Sequence, residues 1–185
     1  MKKTLTLIAI LAIASAGCRH TFRGGSGGGS SATRSFRASF DPALAKMPKE
    51  KVFQLGEEQF AKKKYQKARQ YYSHVYETFP NDPLGRRALL RVADAYYEQG
   101  DSVNLVEAQY KYRDFINRYP TSDKGDYAML QIAMVSYKQM EKPDRDQQKT
   151  HEAVEKYNDM LRTYPKSALR PDAEKRLQEA LDRLA

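Results

Sequence analysis

The chain has 185 residues, 32 of them Lys or Arg and 23 Asp or Glu, with 13 Tyr, 7 Phe, no Trp and one Cys. That length suits one ordinary domain, and a single cysteine excludes an intramolecular disulfide framework, a multi-thiolate zinc site and an iron–sulfur cluster. The formal charge of +9 is concentrated early: residues 1–17 carry +2, residues 18–50 carry +4, and residues 51–185 carry only +3. The predicted folded part therefore lacks the basic footprint that phosphate backbones demand, and no nucleic-acid partner is expected.

Lys2 and Lys3 precede an apolar run from Leu5 to Ala14, and the small residues Ser15, Ala16 and Gly17 follow. This is the order of a secretory signal peptide, too short to span a bilayer stably. The sole cysteine, Cys18, comes directly after Ala16 and Gly17, which resembles the lipobox of bacterial lipoproteins. Ser15 stands where that motif carries an aliphatic residue. The resemblance implies cleavage before Cys18 and a covalent lipid on it, with no other cofactor expected. Several acyl chains anchor durably where one is marginal. Arg19 stands where Asp would imply inner-membrane retention, so the resemblance favours the outer membrane. Six of the ten glycines lie between Gly17 and Gly29, and residues 18–50 are predicted to be a flexible tether reaching about 30 Å. Phe36, Phe40, Pro42 and Pro48 mark its end as a less mobile, extended segment.

From residue 51 onward apolar residues recur at helical spacing. The pattern Ala, Tyr four later, an apolar residue at seven and Pro at twelve occurs three times: Ala68, Tyr72, Val75, Pro80; Ala108, Tyr112, Phe115, Pro120; Ala153, Tyr157, Met160, Pro165. An aromatic precedes each proline. Ahead of each block a large apolar residue stands beside a small one, as Leu55-Gly56, Val92-Ala93 and Ile132-Ala133, followed by Phe60, Tyr97 and Tyr137 at equal offset. Turn-like connectors fall at Lys63 to Tyr65, Gly100 to Ser102 and Lys142 to Asp144. The reading is an all-α fold: a helix–turn–helix solenoid of about three repeats over residues 51–185, ending in one further helix. Leu55, Gly56, Tyr65, Ala68, Tyr72 and Pro80 resemble the tetratricopeptide (TPR) pattern. Ala173 is in register with Ala88 and Ala128, so Ala173 to Ala185 opens a fourth unit, as a cap or as the start of further repeats.

No catalytic constellation is present. His20, His74 and His151 have no second ligand at metal spacing, and Glu57-Glu58 and Asp144/Asp146 are expected on solvated faces. The protein is therefore not expected to be an enzyme. If first helices line a concave side, as in TPR solenoids, the candidate peptide- or partner-binding residues are Phe53, Phe60, Leu90, Asp94, Tyr97, Tyr127, Leu130, Met134 and Tyr137. Aromatics beside flexible Met suit a peptide groove, although several of these residues are equally suited to packing the interior.

Asp126-Tyr127-Ala128-Met129, Asp144-Arg145-Asp146-Gln147, Arg162 to Ser167 and Asp172 to Leu177, together with the leader, Cys18 and tether, resemble the BamD (ComL/YfiO-type) family of outer-membrane assembly lipoproteins over roughly residues 45–185. Members have about five repeats, against three plus a helix here. The resemblance implies a lipid-anchored scaffold on the periplasmic face of the outer membrane, within the β-barrel assembly machinery. Its implied partners are the other subunits of that complex and unfolded outer-membrane protein segments. Two rivals stay open: another periplasmic TPR lipoprotein serving envelope or cell-wall machinery, and a structural adaptor that uses its convex face.

Overall fold

Residues 42–185 are described by the structure, a computed structural model. Cys18, His20, Phe36 and Phe40 lie outside the described residues. Among the described residues eight helices follow in chain order: α1 (Pro42–Ala45), α2 (Lys49–Ala61), α3 (Tyr65–Thr78), α4 (Pro83–Gln99), α5 (Ser102–Arg118), α6 (Gly125–Lys138), α7 (Gln148–Thr163) and α8 (Arg170–Leu184). There is no strand among the described residues. From α2 onward each helix packs on the next, so α2/α3, α4/α5 and α6/α7 are three stacked pairs and α8 opens a fourth.

One boundary differs from expectation. The segment expected to be extended contains a helical turn, α1, and α2 starts at Lys49 rather than 51. Leu44 explains the turn, because it is buried in a cluster with Val52, Phe53, Val75 and Val92. Burying one leucine contributes about 1.5–3 kcal/mol, enough to hold a short turn against the solenoid.

The repeated residues occupy equivalent places. Ala68, Ala108 and Ala153, and likewise Ala88, Ala128 and Ala173, are fully buried at helix contacts, and so are Tyr72, Tyr112 and Tyr157. The second helix of each pair ends on the aromatic before its proline. Phe79, Tyr119 and Tyr164 share φ between −123° and −129° and ψ between 56° and 62°, because a following proline disfavours the α region. In each, the cap amide still donates back to the helix, to Val75, Phe115 and Met160.

The turn between α3 and α4 is tight. Asp82 accepts from the Leu84 amide at 2.8 Å, with Pro83 at the first helical position where its missing N–H costs nothing. A Cβ at Gly85 would lie 1.9 Å from the Phe79 carbonyl oxygen, so only glycine admits this approach. Gly100 closes α4 in the left-handed region at φ 77°, and Asp101 caps α5 through the Asn104 amide at 3.0 Å. The core is three overlapping clusters, α1–α4, α3–α6 and α6–α8, each spanning a helix pair and the first helix of the next. That overlap is what stacking repeats requires.

Candidate functional site

One residue after the small residue of the first helix, units one and two carry a carboxylate: Glu57 after Gly56, and Asp94 after Ala93. The repeat tyrosine of the second helix donates its hydroxyl to that acid. Tyr72 reaches Glu57 Oε1 at 2.7 Å and Tyr112 reaches Asp94 Oδ1 at 2.8 Å. Arg91 of α4 joins the two sites, donating to Glu57 at 2.7 and 3.0 Å and to Asp94 at 3.2 Å. Tyr127 of α6 adds a second hydroxyl to Asp94 at 2.8 Å. A continuous polar chain thus runs from α2 through α4 to α6.

Its electrostatics follow from burial. Burial pushes the Asp94 carboxyl above the usual carboxylate range, and the bonds from Tyr112, Tyr127 and Arg91 offset this only in part. Glu57 is less enclosed, so burial is outweighed by its bonds from Arg91 and Tyr72 and it is held below its ordinary value. Burial and the bond to Glu57 drive Tyr72 well upward, so its hydroxyl stays a donor at any physiological pH. Glu57 was expected on a solvated face; the arginine and the tyrosine brought to it from α4 and α3 make it half-buried and paired instead.

Beside this chain lies an open cavity of about 650 Å³ on the first-helix side, between α4, the start of α6 and the turn before α8. Arg86, Arg87 and Arg91 line one side, Tyr127 and Asp126 another, and Leu90, Phe115 and Leu169 supply apolar floor. The Arg91 guanidinium also stacks over Phe60 at 4.0 Å, and Arg87 sits over Phe53 at 4.9 Å. Arg91 is already paired with Glu57 and Asp94, which leaves Arg86 and Arg87 as the cations poised for acidic or aromatic ligand groups.

The structure brings Leu90, Asp94 and Tyr127 to this cavity. Phe53 and Leu130 are core residues of the first and third clusters, so they support the face without presenting to it. Phe60 packs edge-on against Tyr65. Tyr97 lies under the Lys138 ammonium at 4.5 Å, and Met134 and Tyr137 pack on the third cluster, all of them outside the cavity lining. The arginines were missed in the sequence reading. Their signal was Arg86-Arg87 just before Ala88, with Arg91 one turn on, three like charges on a helix whose other face is apolar. Among the described residues no group of three or more His, Cys, Asp or Glu is placed to hold a metal ion, and no helix is long and apolar enough to cross a membrane.

Stacked helix pairs with small-residue contacts and a cavity on the first-helix side define a TPR-like repeat protein. The family described as YfiO, outer membrane lipoprotein, matches residues 45–185, and the chain belongs to that family. It is 25% identical over 138 residues to the outer membrane protein assembly factor BamD of Caulobacter vibrioides, covering 75% of this chain and 44% of that protein. It is also 25% identical over 104 residues to the BamD of Helicobacter pylori, covering 56% of this chain and 46% of the relative. The chain thus spans under half the length of these relatives. The family is associated with the outer membrane, and the relatives' name ties them to outer-membrane protein assembly.

Proposed function

We propose that this chain is a lipid-anchored scaffold for assembling outer-membrane β-barrel proteins, held at the periplasmic face of the outer membrane through Cys18. Its partners are then other subunits of an assembly complex and unfolded segments of barrel precursors. Its role is binding rather than chemistry. The observation that carries this reading is the cavity of about 650 Å³ lined by Arg86 and Arg87, by Asp123 and Asp126, by Tyr127 and by apolar Leu90, Phe115 and Leu169. Family membership and the assembly role named for both relatives supply the client class.

The test is titration of barrel-derived C-terminal peptides against the wild type and against Arg86→Ala/Arg87→Ala. Both arginines are exposed, so the fold should persist by circular dichroism while affinity drops about tenfold or more, the scale of interface hot spots. Equal affinity in a folded variant would remove the cavity from the reading.

The convex-face adaptor has one observation of its own. Val103, Val106 and Tyr110 stand 71%, 62% and 62% exposed in a row on α5, a second helix of the solenoid. Retained peptide binding with partner loss in Val106→Asp would favour it.

A further inference from the structure

Unit three lacks the acid that units one and two carry on the first helix. One residue after Ala133, where Glu57 and Asp94 stand in the earlier units, the chain carries Met134. Its repeat tyrosine is unchanged, and the consequence is visible: the Tyr157 hydroxyl is buried without a hydrogen-bond partner, whereas those of Tyr72 and Tyr112 each reach a carboxylate. A buried, unpaired hydroxyl costs free energy, and native structures keep few of them.

The rest of the arrangement is retained. Arg176 lies three residues after Ala173, as Arg91 lies three after Ala88. Its guanidinium is 5.5 Å from the Tyr137 ring, as Arg91 is 4.0 Å from the equivalent Phe60. The Tyr137 and Tyr157 rings meet edge-on at 6.3 Å. Arg176 donates from Nε to Asp172 at 3.2 Å, and its terminal nitrogens have no acceptor among the described residues. Glu179 holds the Tyr137 hydroxyl. Two acids, Asp172 and Glu179, and two arginines, Arg176 and Arg183, surround the position, so neighbouring charges of both signs are balanced.

Resting on the peptide-groove reading and extending it, we propose that unit three receives a carboxylate from a bound peptide, with the Tyr157 hydroxyl and the Arg176 terminal nitrogens as donors. The peptide acid fills the place that Glu57 and Asp94 fill from the chain itself. Met134 is half-buried over this cluster, and its unbranched, flexible side chain is among the easiest to move aside. The expected ligand is an Asp or Glu within an otherwise aromatic, strand-like segment, since the two self-filled sites use side-chain carboxylates.

The experiment titrates the full chain in detergent with short blocked peptides of alternating aromatic and small polar residues, one with a central Glu and one with Gln. A Gln peptide with a free C-terminus is the third arm. Wild type is expected to bind the Glu peptide about tenfold more tightly than the Gln peptide. Tyr157→Phe, which deletes the unpaired hydroxyl, should melt at or above the wild-type temperature and lose that preference. Met134→Glu should melt higher, having supplied its own acid, and also lose the preference. Preference for the free C-terminus over the blocked Gln peptide supports the site with the terminus as the source. Equal binding of all three peptides to wild type overturns the carboxylate site and leaves the groove reading standing. Binding of none, with barrel-derived peptides also silent, overturns the groove reading and this site with it.

Discussion

Replacing Asp94 by Ala removes the acceptor on which three side chains converge. The Tyr112 hydroxyl loses its 2.8 Å partner while fully buried, at a cost of about 1–3 kcal/mol for an unsatisfied buried donor. The Tyr127 hydroxyl, at 2.8 Å, is only half-buried, and water can replace part of its bond, so its share is about 1 kcal/mol. Arg91 keeps Glu57 and adds little. Against this, the buried carboxylate is itself partly desolvated, which is why its affinity for protons is raised, and removing it recovers some of the loss. The net expectation is about 2–3 kcal/mol, or a fall of roughly 4–12 °C in melting temperature for a body of this size. Chemical and thermal denaturation measure it. The sharper reading is the double mutant: in the Asp94→Ala background, Tyr112→Phe deletes the stranded hydroxyl and should restore about 1–2 kcal/mol instead of adding to the loss. Strict additivity of the two changes, or an Asp94→Ala cost under about 0.5 kcal/mol, would show that the network does not hold the units as described.

Substituting Leu for Ala108 or Ala153, both fully buried between helices, should cost about 1–3 kcal/mol by overpacking, and unchanged melting in both would reject the repeat register. Glu57 has a folded-state affinity for protons below its ordinary value of 4.5, so its stabilising contribution is present above that pH and is lost as pH falls through the lower folded value. The stability gap between wild type and Glu57→Gln should therefore close on acidification below about pH 4.5; a gap that widens refutes the sign. Asp94, shifted upward from 3.8, acts oppositely, weakening the fold as pH rises through its raised value. For the lipid anchor, Cys18→Ala should abolish acyl labelling and move the protein out of outer-membrane fractions; wild-type levels there would mean that a protein partner does the anchoring.

The helical stack was legible because its signal is periodic and redundant. Ala68, Ala108 and Ala153 must be small where helices touch, and the aromatic–proline pairs end each unit whatever lies around them. The short turn around Leu44 was not legible, since one buried leucine beside two prolines has no period and its partners lie far along the chain. The structure divides the residues expected to bind. Of the residues that TPR geometry suggests, Leu90, Asp94 and Tyr127 lie at the cavity, yet first-helix residues divide between the interior and the first-helix face by a fraction of a helical turn, and that rotation put Phe53 and Leu130 inside. Arg91 escaped notice because its importance comes from Glu57, 34 positions earlier, a pairing that no local pattern announces. The missing acid at Met134 becomes meaningful only once three superimposable tyrosines show what the other units have there.

Successive first helices are fastened to one another by side chains that reach across each joint: Arg91 to Glu57, Tyr127 to Asp94, and Tyr137 to Glu179. These ties all join first helices to one another, and each bond is lost when its two helices are drawn apart. Splaying neighbouring first helices would pull each donor from its acceptor. Opening the stack on the first-helix side therefore costs charge-assisted and hydroxyl hydrogen bonds as well as apolar contact, so the spacing of the first helices is set more firmly than packing alone would set it.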